Sequence, residues 1–228
     1  MAEEHGDSSS EAKIESVTIR TERFFLRPMT DRDLAHVLRW WNDPEVRAAH
    51  ALGAEPLALD HVREWFEAQG RRPWAWIVER VTERREGRSD DGRAEWDGEA
   101  SGKTVPIGML ELVERTEAGR DTGAGGSRPL RVMELGITLD AAARGQGFGP
   151  EVVEGLTRWV LTNGRAERVE LTVLRANGRA VRAFEHAGFE AVPGPEGAGG
   201  WESEILRMVY DPNRLDVGRH GTESPHHS

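Results

Sequence analysis

The fold is decided by the stretch Leu139-Asp140-Ala141-Ala142-Ala143-Arg144-Gly145-Gln146-Gly147-Phe148-Gly149-Pro150. Residues 132–139 before the turn are β-branched and apolar enough for a buried strand, although so short a run is ambiguous by periodicity alone. After the turn, apolar residues recur at three- and four-residue steps, which places them on one helical face: Phe148, Val152, Val153, Leu156, Trp159 and Val160. The chain therefore passes from a strand through a glycine-rich turn into a helix.

Three glycines, Gly145, Gly147 and Gly149, lie where this turn meets the helix. Because they carry no side chains, they expose backbone N–H groups that have no intrahelical partner, and such a helix end binds phosphate. Arg144 adds a positive charge suited to a diphosphate. The alternative interpretation is a tight turn that uses small residues for packing, and a glycine cluster alone does not decide between the two.

Two common phosphate-binding motifs are excluded. A dinucleotide fingerprint counted from Gly145 and Gly147 requires a third glycine at the position of Pro150. A P-loop that ends at Gly102-Lys103-Thr104 requires its first glycine at the position of Asp97. The glycine-rich turn is therefore neither of these.

The composition restricts the classes of partner. Lys and Arg number 30 and Asp and Glu number 40 among 228 residues, so the net charge is −10. Neither nucleic acid nor an anionic membrane attracts such a chain, whereas a cationic or amine-bearing partner is easily accommodated. The absence of cysteine excludes disulfides, thiolate metal sites and a cysteine nucleophile. Without a membrane-spanning apolar run or a signal peptide, the sequence predicts a soluble cytoplasmic protein.

The hydrophobic pattern predicts one domain at residues 15–212, between a disordered acidic tail at 1–14 and a mobile tail at 213–228. Its elements are a strand or strand pair, two helices, three strands, a helix, a strand, a helix and two strands. This order predicts a mixed α/β (α+β) fold in which antiparallel strands precede a crossover unit. A charged insertion at 82–103 and a flexible glycine-rich loop at 115–129 interrupt it.

Two helices are predicted before the second strand. The first begins at a variant of the capping box, with Thr30 as N-cap and Asp33 three residues later. It ends at Asn42-Asp43-Pro44, because proline disfavours helix in the residue before it. The second helix runs from Leu59 to Ala68.

Several separated segments resemble the GNAT family of N-acetyltransferases, in the family's order. Arg144, Gly147 and Gly149 fit the Gln/Arg-x-x-Gly-x-Gly/Ala pattern of its acetyl-CoA diphosphate loop. Residues 27–34 and 41–46 look like the opening of the branch that includes ribosomal-protein N-terminal acetyltransferases and some small-amine acetyltransferases. A second family signature is matched by Asn177-x-x-Ala180-x-x-x-Phe184-Glu185-x-x-Gly188-Phe189. The resemblance covers about residues 17–210.

The resemblance implies a fold and a reaction. The expected fold is a GNAT-like mixed, largely antiparallel sheet of six to seven strands, flanked by about four helices and splayed between its fourth and fifth strands, with acetyl-CoA in the gap. The expected reaction is direct transfer of acetyl from acetyl-CoA, as co-substrate, to a primary amine on a small molecule or a peptide N-terminus, without a metal. Acetyl-CoA and the amine acceptor are then the partners, and a homodimer stays open.

The resemblance also implies roles for residues near the cofactor. The backbone of Gly145, Gln146, Gly147, Phe148 and Gly149 would hold the diphosphate, with Arg144 beside it, and Leu135, Gly136, Ile137 and Thr138 would line the pantetheine arm. Asn177 would lie near the pantetheine or the thioester, and it suits a helix N-cap equally well.

The resemblance leaves the proton transfers open. Since an aliphatic amine is protonated at neutral pH, a carboxylate base is useful, and Glu134 is the first candidate and Glu111, on the neighbouring strand, the second. Glu134 as a merely solvated or structural carboxylate is the alternative. Many family members place a tyrosine acid where this chain has Phe184, among the residues expected near the cofactor, and phenylalanine has no proton to donate.

Phe184 therefore leaves two interpretations of the activity. In the first, the thiolate leaves unassisted or takes a proton from water. In the second, the protein is a catalytically silent acyl-CoA-binding or interaction module that does not carry out the usual reaction. A longer acyl-CoA as donor is a further alternative, because pocket shape sets the chain length.

Overall fold

A computed structural model describes the chain at residues 18–21, 23–50, 55–68, 74–82, 103–117, 129–193 and 203–210. The predictions for the two tails, for residues 83–102 and for residues 118–128 lie outside these ranges and stay predictions. The predicted flexible loop at 115–129 begins too early, because a strand at Thr104–Glu117 takes up its first three residues.

The described residues form one sheet of eight strands and five α-helices. The strands are β1 (Ile19–Arg20), β2 (Phe24–Pro28), β3 (Ala75–Val81), β4 (Thr104–Glu117), β5 (Leu130–Leu139), β6 (Arg168–Leu174), β7 (Phe189–Ala191) and β8 (Ile205–Tyr210). The helices are α1 (Leu34–Trp41), α2 (Pro44–Ala49), α3 (Leu59–Ala68), α4 (Phe148–Thr162) and α5 (Gly178–His186). Short 3-10 turns precede α1 and α4.

The sheet is mixed and largely antiparallel, which confirms the predicted fold class. Its strand order is β1-β2-β3-β4-β5-β6-β8-β7, and β5 with β6 is the parallel pair. Parallel strands need a crossover connection, usually a helix, and α4 lies in that connection between β5 and β6. The prediction counted six to seven strands and about four helices. The structure has an eighth strand because the N-terminal segment forms a pair, β1 and β2, and the fifth helix is α2.

Helix α2 was not predicted, because Asn42-Asp43-Pro44 was interpreted only as the end of α1. The end is where it was expected, since α1 stops at Trp41. However, Asp43 accepts hydrogen bonds from the backbone N–H groups of Glu45 and Val46, at 3.0 and 3.3 Å. An aspartate N-cap followed by proline at the first helical position starts a helix, so the same residues end one helix and begin the next.

The parallel strands β5 and β6 separate after three residue pairs. Pairing runs from Val132 with Arg168 to Glu134 with Glu170, while β5 continues to Leu139. When the N-terminal strand pair is counted as one strand, these are the fourth and fifth strands, where the splay was expected. A gap therefore opens along residues 135–139 on the side of β6.

Helices cover both faces of the sheet. Alternate residues of a strand point to opposite faces, so Trp76 and Ile77 of β3 lie in different cores. Helices α4 and α5 cover the larger core, and α1 and α3 cover the smaller one. None of the described helices combines the length and the apolar composition needed to cross a bilayer.

A buried ion pair anchors the start of α1. Arg27 donates to both carboxylate oxygens of Asp33, at 2.8 and 2.7 Å, and to Glu79 at 2.8 Å. Asp33 also accepts from the backbone N–H of Thr30 at 2.9 Å, which confirms the predicted capping box. Burial by itself would raise the pKa of Asp33, but the hydrogen bonds from Arg27 and Thr30 outweigh burial and lower it.

The Asp33→Asn variant tests this anchor. We expect it to lower the free energy of unfolding by about 2 kcal/mol near neutral pH, because Arg27 loses a buried charged acceptor. A lowered folded-state pKa means that the contribution is complete above the ordinary value of 3.8 and is lost as the pH falls through the lowered pKa. Denaturant unfolding of both proteins should therefore show a difference that shrinks below about pH 4.

Asp31→Asn is the matched control, because Asp31 lies in the same turn and is exposed. An equal loss of stability in the control, or a difference between Asp33→Asn and the unaltered protein that does not change with pH, would contradict the assignment.

Candidate functional site

A cleft of about 490 Å³ lies where β5 and β6 diverge. One wall is β5, the other is the end of β6 with the first two turns of α5, and the glycine-rich turn and α4 form the floor. Helix α2 lies at its rim. The cleft is therefore a direct consequence of the strand separation.

The glycine-rich turn presents an open backbone to this cleft. Gly145 and Gly147 adopt left-handed conformations, with φ of 74° and 75°, and a Cβ placed on either would meet no atom within 4 Å. Gly147 is the N-cap of the 15-residue helix α4, and no side chain caps that helix end. The first N–H groups of α4 are thus suited to an anionic ligand.

Arg144 joins the glycine-rich turn to α2. Its Nε donates to the carbonyl oxygen of Leu139 at 3.0 Å, and its Nη1 donates to Asp43 at 3.0 Å and Glu45 at 3.1 Å. Only 11 % of the side chain is exposed. Its Nη2 is buried and has no hydrogen-bond partner in the described part of the chain. One donor of this guanidinium is therefore left for a ligand.

Most of the residues expected near the cofactor line the cleft. They are Leu135, Gly136, Ile137, Thr138, Arg144, Gly145, Gly147, Phe148, Gly149, Asn177 and Phe184. Gln146 is not among them, because its side-chain nitrogen donates to the carbonyl oxygen of Ala142 at 2.5 Å. Asn177 also caps α5, since its side-chain oxygen accepts from the N–H of Ala180 at 3.2 Å.

Phe184 lies at the position where many members of the resembled family have a tyrosine that acts as the general acid. It is buried and packs edge-on against Phe189, with ring centroids 6.3 Å apart. Tyr210 also packs against Phe189, at 5.5 Å, and is not among the residues that line the cleft. The structure therefore brings no tyrosine hydroxyl into the described cleft.

The two candidate bases lie beside the cleft rather than in its lining. Glu111 pairs with Gly136 across β4 and β5, and a methyl group on Gly136 would lie 2.9 Å from the Cγ and Oε1 atoms of Glu111. The Glu111 side chain therefore covers the backbone of a cleft residue. Burial raises the pKa of Glu111, and the negative charge of Glu134 raises it further.

Glu134 has a different environment from Glu111. It accepts a hydrogen bond from the hydroxyl of Thr172 at 3.1 Å and lies 3.4 Å from Arg115. Glu111 has no hydrogen-bond or ion-pair partner among the residues described. Across the same ranges, no group of three or more His, Asp or Glu side chains could hold a metal ion.

Sequence reasoning missed the residues that α2 and α5 contribute to the cleft. Helix α2 and the residue after it add Glu45, Val46, Ala49 and His50, and α5 adds Arg179, Ala180, Arg182, Ala183 and His186. The signal for α2 was present, since an aspartate before proline and glutamate is a helix start. For Arg179 and Arg182, no local signal separates these cations from other surface arginines.

Comparison with known proteins identifies the family of this fold. The family model described as Acetyltransferase (GNAT) domain matches residues 23–190. A search of curated proteins gives no significant match. Three solved structures illustrate the similarity.

An acetyltransferase of the GNAT family from Bacillus anthracis has a TM-score of 0.58 at 13 % identity, over 85 % of this chain and 97 % of that one. Spermidine N-acetyltransferase from Vibrio cholerae, in complex with CoA and spermine, has a TM-score of 0.57 at 18 % identity, over 83 % and 95 %. AAC(6')-Ib in complex with paromomycin and acetyl-CoA has a TM-score of 0.51 at 20 % identity, over 88 % and 99 %. At these identities the similarity shows the fold.

Substitutions in the glycine-rich turn test its backbone geometry. Gly147→Ala should lower the free energy of unfolding by about 1–2 kcal/mol, because alanine is strained at a left-handed position even where space is free. Gly149→Ala is the matched control, since it lies inside α4 and its added methyl would make only an ordinary contact with Leu139, at 3.7 Å. Denaturant unfolding should show the control to be neutral or slightly stabilising. Equal effects of the two substitutions would contradict this geometry.

Proposed function

This chain belongs to the GNAT acetyltransferase family, and from that membership we propose that it is an acetyl-CoA-dependent N-acetyltransferase that acts on a primary amine by direct attack in a ternary complex. The observation that carries the proposal is the cleft between β5 and β6, with an open glycine-rich helix start at its floor. Acetyl-CoA supplies the acetyl group as a thioester. The tasks of the protein are to bind this donor, to place the amine and to accept its proton.

Two backbone features suit the donor. The N–H groups at Gly145, Gly147 and the start of α4 suit the diphosphate, and the unpartnered Nη2 of Arg144 adds a charged donor. Beyond Glu134, the side of β5 that faces β6 pairs with no described strand. Its alternate N–H and C=O groups, over residues 135–138, are therefore available for the amide groups of a pantetheine arm.

We favour Glu111 over Glu134 as the base. The amine is protonated near neutral pH, so a carboxylate must accept its proton, and a carboxylate with a raised pKa is the stronger base. Glu111 has such a raised pKa and lies against Gly136 of the cleft. Glu134 is already held by Arg115 and Thr172, and its negative charge serves to raise the pKa of Glu111. Since Phe184 cannot donate a proton, we propose that the thiolate leaves unassisted or is protonated by water.

Cationic small-molecule amines are the first acceptors to test. Two of the structural neighbours are complexes with such amines, spermine and paromomycin. A peptide N-terminus is the other acceptor, in keeping with the ribosomal-protein branch that residues 27–34 and 41–46 indicate. A cytoplasmic location and a homodimer stay proposals beside these.

A second candidate function is a catalytically silent acyl-CoA-binding module. Phe184 favours it, because a buried phenylalanine stands where a proton donor is usual in the family. It predicts donor binding without transfer to any amine. A longer acyl-CoA as donor predicts transfer that improves with chain length.

Calorimetric titration with acetyl-CoA tests the donor site first. We expect saturable binding by the unaltered protein and its loss in Gly147→Asp, which places a negative charge at the phosphate-binding turn. Gly164→Asp should bind as the unaltered protein does, because Gly164 is also left-handed and open but does not line the cleft, and circular dichroism checks that each variant is folded. No binding by the folded, unaltered protein would refute the proposal. Release of free thiol with a panel of polyamines, aminoglycosides and peptides then separates the enzyme from the silent module.

The choice of base is tested by Glu111→Gln and Glu134→Gln. With an accepted amine, Glu111→Gln should lower kcat about 10²-fold. A base must be ionised, so kcat/KM of the unaltered protein should fall as the pH drops through a pKa above the ordinary 4.5. Glu134→Gln removes the charge that raises this pKa, so the acidic limb of the profile should move to lower pH. Loss of kcat in Glu134→Gln together with normal turnover in Glu111→Gln would reverse the assignment.

A further inference from the structure

The rim of the cleft carries three arginines and one carboxylate. Arg144, Arg179 and Arg182 line it, and Glu45 is the one acidic side chain among the lining residues that the structure describes. The Oε2 atom of Glu45 lies 2.7 Å from Nη2 of Arg179 and 3.1 Å from Nη1 of Arg144. A single carboxylate oxygen therefore accepts hydrogen bonds from two of the three arginines that line the cleft.

The ion pairs of Glu45 with Arg144 and with Arg179 differ in how firmly each arginine is held. Arg144 is 11 % exposed and is also held by Asp43 and by the carbonyl oxygen of Leu139, so it stays in place without Glu45. Glu45 and Arg179 are 63 % and 54 % exposed, and exposed ion pairs stabilise by little. The contact between Glu45 and Arg179 is therefore the one that a ligand can exchange.

The charge state of this contact suits an exchange. The hydrogen bond and charge of Arg179, followed by the charge of Arg144, lower the pKa of Glu45, so the carboxylate is ionised near neutral pH. Arg182 lies three residues after Arg179 on α5 and has no ion-pair partner in the described ranges. A phosphate that replaces Glu45 would thus meet two guanidinium groups on one helix face, and its several oxygens can accept hydrogen bonds from both.

We propose that Glu45 is an internal competitor for a phosphate of the CoA donor, and that donor binding transfers Arg179 from the Glu45 carboxylate to this phosphate. The inference rests on the proposed function of the cleft and goes beyond it. Glu45 then sets the affinity for the donor, and Arg179 becomes a phosphate-binding residue. Because Glu45 lies in the first turn of α2, the exchange also removes this ion pair between α2 and α5, while Asp43 keeps the start of α2 attached to Arg144.

Calorimetric titration of four variants with CoA tests this exchange. Glu45→Gln keeps the size of the side chain and removes its charge, so we expect Kd to fall about two- to fivefold. Arg179→Gln should raise Kd about tenfold. In the double variant Glu45→Gln/Arg179→Gln, the gain from Glu45→Gln should disappear, because the two residues act through one contact. Glu64→Gln, on the exposed face of α3, controls for the change in net charge.

A second ligand, 3′-dephospho-CoA, identifies the phosphate. If Arg179 binds the 3′-phosphate, Arg179→Gln should weaken CoA but not 3′-dephospho-CoA. If Arg179 binds the diphosphate, both ligands should weaken equally. Either result shows that Arg179 is a phosphate-binding residue and assigns its phosphate.

Three outcomes overturn the inference. They are a Kd in Glu45→Gln no lower than in Glu64→Gln, a gain that persists without Arg179, and an unchanged Kd in Arg179→Gln. None of these outcomes contradicts the proposed donor site, provided that the unaltered protein binds CoA. Absence of binding by the folded, unaltered protein refutes the donor site and the exchange together. If Glu45→Gln fails to fold, Glu45→Ala takes its place in the same titrations.

Discussion

The structure depends on the point at which β5 parts from β6. The last residue pair before the gap places two carboxylates, Glu134 and Glu170, side by side on parallel strands. Glu170 is 1 % exposed and accepts a hydrogen bond from Nε of Arg207 at 3.0 Å, and Arg115 bonds it as well. These arginines balance charge that would otherwise repel, and they hold the strands together up to this pair. Beyond it no such network is present among the described residues, and the strands separate.

The separation creates two kinds of binding group at once. It leaves the edge of β5 with backbone groups that need a partner, and it carries the chain after Leu139 into the glycine-rich turn at the start of α4. A ligand with an extended amide arm and a diphosphate fits both groups. It also leaves Glu111 behind Gly136, where burial and a neighbouring charge raise the pKa of its carboxyl. The proposed donor site and the candidate base therefore have one structural origin.

Electrostatics divide the molecule into two regions. The whole chain has a net charge of −10, which suits a cationic acceptor. The cleft is locally basic instead, since arginines outnumber carboxylates in its lining. The cleft lining thus differs in sign from the chain as a whole, which suits the anionic donor proposed for it. Glu45 is the exception in the basic region, and its contact with Arg179 links the two helices at the rim.

The sequence by itself determined the elements and the glycine-rich turn, because both follow from local chemistry. Side-chain periodicity predicted the strands, with β1 and β2 left open as one strand or a strand pair, and the conformational freedom of Gly145 and Gly147 predicted the open helix start. Helix α2 also had a local signal at Asp43 and Pro44, which was interpreted only as the end of α1. No local sequence signal indicated which charged residues would form ion pairs.

Only the tertiary structure decided how the charges are arranged. Glu45 contacts Arg144, 99 residues away in the sequence, and Arg179, 134 residues away. No spacing in the sequence predicts such contacts. The preference for Glu111 over Glu134 likewise depends on the register of β4 against β5 and on the position of Arg115. The physical reason is that the electrostatic environment of a side chain is set by distance in space and by burial, which exist only once the chain has folded.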